Sequence, residues 1–343
     1  MSNRILNFNS QRNYKTMLKS TLLMLCMSVA LSAQADDNDS ETKKQKGEAI
    51  VKIFGDLHSG FGSASDDRGF NLERCYLGYE YEPTENLTIK AVMDVGKSSD
   101  VNDQQRFVHI KTAMVSWEKG DFEVKGGLIS TRQFKFQEDF WDYRYVMKSF
   151  QDEYKFGHSA DLGVSASYEI CDEVKVDAII ANGEGYKKLQ VNNGFNYGLG
   201  LTLTPVKGLK VRLYGGLNEG VKDGEKNITN LAAMVGYKHD KFSIGAEYNY
   251  MKNAKYKDEA DLSGYSLYTS VKLSKKISLF ARYDDLFSKN DWNFDKDESV
   301  AVLGAHFKLG KYVRLAPNFR MCMPKADGAK KIYSAYLNYY FNI

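Results

Sequence analysis

Ten charged residues between positions 132 and 158 form the part of the sequence best equipped for chemistry. Five are basic and five are acidic, so the segment has no net charge. Charges of both signs that face each other across water set a transverse field, and charged rings select ions in this way. The candidates for contact with a solute are Arg144, Lys148, Glu138, Asp139, Asp152, Glu153, Arg132 and Lys135.

These charges could instead pair with one another and hold the segment rigid, since structural ion pairs also occur in clefts. The segment 131–163 has neither helix nor strand periodicity, and loops of this length inside a compact domain are usually functional. Aromatic side chains would anchor it against a wall, and Gly157 would let the chain turn back. The predicted anchors are Phe136, Phe140, Trp141, Tyr143 and Tyr145.

Metal and cofactor motifs are weak. The five histidines lack H-E-x-x-H or similar spacing, and the acidic stretch 258–261 lacks the D-x-D-x-D-G pattern of a calcium loop. The glycine-rich turn at 183–186 lacks the G-K-[ST] of a phosphate-binding loop. We therefore predict no metal site and no cofactor.

The amino-terminal segment has the form of a secretory signal peptide. Basic residues precede an apolar run at 21–31, and Ala33-Gln34-Ala35 resembles a cleavage site. Translation could also begin at Met17. Removal of residues 1–35 takes away four of the 47 basic residues and leaves 43 against 44 acidic ones. A near-neutral chain lacks the electrostatic support for nucleic-acid binding. The polar residues 36–48 should form a disordered leader.

From Ala49 to the carboxyl end, apolar and polar residues alternate with a period of two, which places them on opposite faces of strands. The segments run for about 10 to 12 residues, the length of tilted membrane strands rather than of soluble ones. No window approaches the roughly 18 to 20 apolar residues of a spanning helix. We predict an all-β, transmembrane, antiparallel up-and-down β-barrel over 49–343 with about sixteen strands, although fourteen or eighteen strands remain possible. The candidate strands are 49–60, 69–82, 86–97, 107–118, 120–131, 160–171, 173–183, 195–205, 208–219, 228–239, 241–252, 262–273, 276–287, 298–309, 311–321 and 331–343.

The connections between these strands alternate between short and long, as in bacterial outer-membrane barrels. With the amino terminus in the periplasm, the long connection 132–159 becomes the third external loop. Sixteen strands are wide enough to leave an aqueous channel. Alternation places a set of charged residues on the lumen wall: Arg74, Lys90, Asp94, Lys125, Arg212, Glu247, Arg282, Asp284, Arg314 and Arg320.

Two stretches are similar to one known family. FKFQEDFWDYRYVMKSFQDEYKFGHSADLG at 134–163 and ANGEGYKKLQ at 181–190 resemble the phosphate-selective porin O/P family. The resemblance implies a passive channel in the outer membrane of a Gram-negative bacterium, with the third loop folded inward as the constriction and basic residues guiding anions. It also implies outer-membrane lipid as a partner, a possible homotrimer and no catalysis.

The even charge balance of 132–158 departs from a phosphate-selective pattern. We therefore expect small hydrophilic solutes or inorganic ions. We also expect a lean toward anions, because the lumen-facing charges, once Lys238, Glu80, Glu123 and Asp177 are added to the lumen-wall set, are eight basic against six acidic residues. Two other functions remain open. One is an outer-membrane enzyme such as a lipase or protease, which could use His58 and Ser59, although neighbours in a strand face opposite ways. The other is an adhesin or structural barrel plugged by its own loop.

Overall fold

The computed structural model describes residues 46–97, 106–188 and 192–343. The predicted signal peptide and residues 36–45 lie outside this range. Sixteen strands form one closed barrel, in which each strand pairs antiparallel with the next and β1 pairs with β16. The strands are β1 Lys46–Phe61, β2 Arg68–Glu82, β3 Leu87–Lys97, β4 Arg106–Lys119, β5 Phe122–Ser130, β6 Ala160–Cys171, β7 Val174–Ala181, β8 Asn196–Val206, β9 Leu209–Asn218, β10 Ile228–Lys238, β11 Phe242–Lys252, β12 Leu262–Lys272, β13 Ile277–Ser288, β14 Glu298–Leu309, β15 Val313–Pro324 and β16 Ile332–Asn342.

Helical structure is confined to the long connections at one end of the barrel. Two α-helices, α1 Lys135–Trp141 and α2 Phe150–Glu153, lie between β5 and β6. The single-turn 3₁₀ helices are Gly62–Ala64, Ala254–Tyr256, Lys289–Asp291 and Phe294–Lys296. Among the residues that the structure describes, no helix is long and apolar enough to cross a membrane.

Three predictions are confirmed: the fold class, the strand count and the alternation of short turns with long loops. The largest differences in strand bounds are three residues, at the start of β1 and at the end of β15. β1 extends back to Lys46 because residues 46–48 pair with residues 80–82 of β2. Closure leaves no free sheet edge, which removes the unpaired backbone groups that lipid does not tolerate.

The two faces of the barrel wall differ as a membrane barrel requires. In β10, Leu231 and Val235 are 53% and 47% exposed on the outer face, whereas the alternating residues Asn230, Ala232 and Met234 are buried on the inner face. The same alternation runs around the ring, so the outer surface is apolar and the inner face is largely polar. This distribution fits lipid outside and water inside.

Among the described residues, four register shifts interrupt the strand pairing, and two of them move a charged residue to the inner face. The register shifts between Phe54 and Gly55 leave Glu73 of β2 unpaired, and a second shift after Val92 does the same to Lys111 of β4. Lys111 nevertheless bonds an inward-facing tyrosine, and Glu73 lines an interior cavity. A bulge adds one residue to a strand and re-aims its side chain, so both charges join the lumen although strict alternation does not predict it.

The exposed position Leu303 gives a test of the membrane face. Leu303 lies in the middle of β14 with 65% of its surface exposed. We expect Leu303→Lys to lower the free energy of unfolding by about 2 to 4 kcal/mol, because a charge at the bilayer midplane is costly. Leu309→Lys at the end of the same strand should cost about 0 to 1 kcal/mol. Urea unfolding in lipid vesicles measures both, and equal costs would contradict a lipid-facing β14.

Candidate constriction site

The connection between β5 and β6 folds into two short helices with few local stabilising features. α1 has no side-chain cap at its start and ends at Asp142, which adopts a left-handed φ of 64°. Lys135 and Asp139 form an ion pair one helical turn apart, a type of pair that contributes only a few tenths of a kcal/mol. Helices of seven and four residues are too short to be stable alone, so the segment depends on contacts with the rest of the barrel.

Wall side chains supply those contacts by donating hydrogen bonds to backbone carbonyls of the loop. The pairs are Arg212 Nη2 to Arg132 O (2.9 Å), Arg282 Nη1 to Lys148 O (2.5 Å), Arg320 Nη2 to Val146 O (2.7 Å) and Asn338 Nδ2 to Tyr145 O (3.2 Å). The donors belong to β9, β13, β15 and β16, whereas the loop leaves the wall between β5 and β6. In a closed ring of sixteen strands, the loop between β5 and β6 reaches these distant strands through the interior. We infer that the loop crosses the lumen.

Aromatic side chains pack the loop against the wall. Tyr143 stacks on Phe280 with ring centroids 4.7 Å apart, and Tyr145 stacks on Tyr340 at 5.4 Å. The predicted anchors Phe140, Trp141, Tyr143 and Tyr145 are buried in one cluster with wall residues, and Phe136 packs half-buried at its edge. Burial raises the pKa of the Tyr143 and Tyr145 hydroxyls above their usual range, so both rings stay neutral and anchor the loop as apolar groups.

Arg144 is the most strongly coordinated charge of the loop. Its guanidinium lies 3.3 Å from Glu138 and 3.4 Å from Asp152, and it sits over the ring of Phe54 with 5.7 Å to the centroid. Burial opposes its charge, but Tyr76, Asp152 and Glu138 outweigh burial and raise the pKa of the guanidinium. Arg144 therefore forms ion pairs within the loop, as expected if these charges hold the loop rigid. It also stays charged at a fixed position.

The other predicted solute contacts fall into two groups. Lys135 pairs with Asp139, and Arg132 pairs with Glu123 at 2.5 Å. Lys148 and Glu153 form no ion pair with any residue that the structure describes, and both line the interior cavity on the loop's outer side. A half-buried charge without a protein partner is free to meet a charged solute. Lys148 therefore fits that role better than the paired groups do.

Two cavities of about 350 and 360 Å³ lie on opposite sides of the loop. The first is lined by the loop ends of the strands, including Asp56, Glu298 and Arg320. The second is lined by residues toward the turn ends, including Lys52 and Arg314. Only two residues line both cavities: Arg144 and Tyr145. Arg144 and Tyr145 therefore stand between the two cavities.

Most of the predicted wall charges are neutralised by a partner on the inner face. The pairs are Arg74 with Asp94 (2.9 Å), Lys90 with Glu80 (2.6 Å), Lys125 with Glu123 (2.5 Å), Arg282 with Asp284 (2.5 Å) and Arg212 with Asp177. Glu247 accepts a hydrogen bond from Asn249 at 3.3 Å, and Arg314 sits 5.3 Å from the Tyr340 ring centroid. Arg212, Arg282 and Arg320 use further donors on the loop backbone, so they hold the loop rather than present free charge to solute.

Basic side chains accumulate at the turn end of the lumen. A cavity of about 720 Å³ under α1 is lined by six basic and two acidic residues. They are Lys238, Lys241, Lys272, Lys275, Lys276 and Arg314, with Asp142 and Asp240. The 360 Å³ cavity is lined by six basic residues and three acidic ones. Basic residues therefore outnumber acidic ones in the lining of both cavities on this side of the loop.

The fourth long loop also reaches into the lumen, which alternation alone does not predict. The Tyr186 hydroxyl donates a 2.6 Å hydrogen bond to Asp94, and Lys111 Nζ lies 5.7 Å from the Tyr186 ring centroid. Lys111 also donates to the Tyr76 hydroxyl at 3.0 Å. The only sequence signal for Tyr186 is its place in the stretch 181–190 that resembles the porin family.

A closed ring of sixteen antiparallel strands with a polar interior and a long loop packed on its inner wall is the architecture of the outer-membrane porins. No protein-family model matches the chain, and no curated protein does. Solved structures that share the fold are similar over nearly their whole length. The anion-selective porin from Comamonas acidovorans has 12% identity and a TM-score of 0.64 over 88% of this chain and 100% of that one.

Two further structures support the same fold. OprB of Pseudomonas putida has 12% identity and a TM-score of 0.70 over 87% of this chain and 94% of that one. The trimer form of OmpT, an outer-membrane protein of Vibrio cholerae, has 14% identity and a TM-score of 0.60 over 87% and 100%. At such low identity the likeness establishes the shared barrel fold.

Proposed function

We propose that the chain is a porin of the outer membrane of a Gram-negative bacterium, which passes small hydrophilic solutes or inorganic ions by passive diffusion. One observation carries the proposal: cavities lie on both sides of the loop within a closed barrel with a polar interior, and Arg144 lines both of them. A barrel of sixteen strands is wide enough for an aqueous channel that a loop then narrows.

Planar-bilayer recording tests the channel directly. Purified, folded protein should give stepwise single-channel currents. Folded state is checked independently by the difference in gel mobility between heated and unheated samples. A sealed bilayer with folded protein inserted would contradict the porin and favour a barrel plugged by its own loop.

We propose no catalytic function. His58 lies on the inner face, where its ring contacts Tyr336 at 5.4 Å between centroids and its Nδ1 lies 2.6 Å from Asp56. Ser59 is its neighbour in β1 and therefore belongs to the opposite face. The two residues cannot act together as nucleophile and base.

Preference for anions is the finer part of the proposal. It is supported by the basic excess on the turn side of the loop, six against three in one cavity and six against two in the other. In a salt gradient, the reversal potential should have the sign of a mildly anion-selective channel. The opposite sign would remove the anion preference and leave the porin intact. We do not extend the proposal to phosphate, because the loop itself is balanced at five basic and five acidic residues.

A homotrimer is a further part of the proposal. It is supported by the trimer form of the OmpT structure that shares the fold. Light scattering in detergent after size-exclusion chromatography measures the mass, and a monomeric mass at all protein concentrations would contradict the trimer.

Lys148 should contribute measurably to ion selectivity. We expect Lys148→Gln to lower the ratio of anion to cation permeability about twofold at 0.1 M salt, where the Debye length is about 10 Å, and far less at 1 M, where it is about 3 Å. Lys257→Gln is a matched control, because Lys257 is exposed on another external loop. If both variants keep the wild-type reversal potential at low salt, Lys148 does not face the permeating ions.

A further inference from the structure

A cavity of about 590 Å³ lies at the outer mouth of the barrel, between the carboxyl-terminal part of the third loop and the outer ends of β8 to β14. Its floor is an apolar cluster that includes Phe156, Met251, Leu262 and Leu286. The volume is in the range of sites that enclose small organic molecules. Arg144 does not line this cavity, although Glu153 and Glu298 line both it and the 350 Å³ cavity.

Three aromatic side chains from three different loops stand on the rim of this cavity. They are Tyr154, Tyr256 and Trp292. Each is only partly buried, so part of each ring surface is exposed. The Lys255 ammonium already lies 5.2 Å from the centroid of the Trp292 ring. Trp292 is fixed in place, because its Nε1 donates a 2.8 Å hydrogen bond to the Asp261 carbonyl.

Polar atoms enclosed at the same site have no protein partner. Asn230 is 5% exposed, and its Oδ1 has no hydrogen-bond partner among the described residues. The same holds for the Tyr154 hydroxyl. An enclosed polar atom without a partner is costly, and both residues line the cavity. These atoms are therefore candidates for hydrogen bonds to a bound molecule.

The charges of the cavity indicate what kind of molecule fits. Three acidic and three basic residues line it, so it favours neither an anion nor a cation. They are Glu153, Asp295 and Glu298 with Lys155, Lys255 and Lys296. Four asparagines complete the polar lining: Asn196, Asn218, Asn230 and Asn293. Carboxylates accept hydrogen bonds from hydroxyl groups, and amides both accept hydrogen bonds from them and donate hydrogen bonds to them.

We propose that this cavity is a binding site for an uncharged saccharide of one or two rings. The apolar C–H face of a sugar ring packs on an aromatic side chain, and its hydroxyls bond amides and carboxylates at the edge. The aromatic rim, the asparagines and the balanced charge provide these features together. The inference goes beyond the proposed channel, because binding at the mouth requires no passage through the barrel.

Isothermal titration of the full barrel in detergent tests the site with glucose, maltose and sucrose as probes. At least one sugar should bind saturably to the wild type. Affinity should fall at least about tenfold in Trp292→Ala, as expected for loss of about 1.4 kcal/mol of ring contact. Trp292→Phe should stay within about threefold of the wild type, because it keeps a ring while losing the same indole N–H.

Trp117→Ala is the matched control, since Trp117 lies at the turn end of β4 against Phe122. Its sugar affinity should equal that of the wild type. Inorganic phosphate and phenol serve as competing probes. Three results would each overturn the proposal: no saturable binding of any sugar by folded wild type, equal affinity in Trp292→Ala, or binding of phenol or phosphate in place of sugar. None of these results bears on conductance, so the channel and the sugar site fail separately.

Discussion

Replacing residues 136–155 with a short glycine-serine linker is expected to raise single-channel conductance at least about twofold, because the ring of sixteen strands leaves a wide lumen once the loop is gone. The deletion removes Arg144 and Tyr145, which line the cavities on both sides of the loop. It also removes the aromatic cluster from Phe140 to Tyr145 that fills the space against β12 and β13. Planar-bilayer recording in symmetric salt measures the change.

A control deletion in another loop tests whether the effect on conductance is specific to the third loop. Residues 221–225 form an exposed tip in which Glu225 accepts hydrogen bonds from the backbone N–H groups of Val221 and Lys222. These hydrogen bonds lower the pKa of Glu225, Lys222 contributing most, so the tip is held by its own local contacts. Replacing it with two glycines should leave conductance at the wild-type value. If removal of 136–155 likewise changes nothing, the third loop does not line the pore.

Arg282→Ala should destabilise the barrel by about 3 to 5 kcal/mol, because removal of one partner leaves a buried charge uncompensated. Arg282 is 3% exposed, and Asp284 is fully enclosed. The guanidinium binds Asp284 through two contacts, Nε to Oδ1 at 2.8 Å and Nη2 to Oδ2 at 2.5 Å. The substitution also removes the donor to the Lys148 carbonyl. Urea unfolding of folded protein in vesicles measures the loss.

Two controls show whether burial causes this loss. Lys175 and Glu169 form an ion pair at 2.8 Å with side chains 40% and 52% exposed, so Lys175→Ala should cost about 0 to 1 kcal/mol. The double variant Arg282→Met with Asp284→Leu removes both charges and should recover most of the stability lost by Arg282→Ala. An Arg282→Ala barrel within about 1 kcal/mol of the wild type would show that the pair is not the buried link described above.

The strands of this protein can be predicted from its sequence, because the alternation of apolar and polar residues that defines them is a local pattern. A period of two over ten or more residues assigns each side chain to a face without any knowledge of its neighbours. Arg282, Asp284 and Arg320 follow that pattern on the inner wall, and so do Phe280 and Asn338. The lengths of the connections can also be predicted from the local sequence. Their alternation between short and long places the third loop correctly between β5 and β6.

The contact partners of these side chains cannot be predicted from the sequence in the same way. Arg320 meets the Val146 carbonyl 174 positions away, and this contact depends on the barrel radius and on how far the loop extends. Arginines expected as free wall charges therefore prove to hold the loop backbone. The bulges cannot be predicted from the sequence for a related reason. One extra residue, such as Lys111, changes which side chains face the lumen over a short stretch, and the alternating pattern then resumes.

The hydrogen bonds between wall and loop also constrain the order in which the barrel assembles. Three of them join residues 134, 174 and 193 positions apart, and every acceptor precedes its donor in the chain. Contacts of such separation form late, since loop-closure entropy must be overcome before they stabilise anything. The third loop cannot dock until β13, β15 and β16 have joined the ring. Docking of the third loop is therefore expected among the last steps of folding, after the ring of strands has already set the width of the lumen.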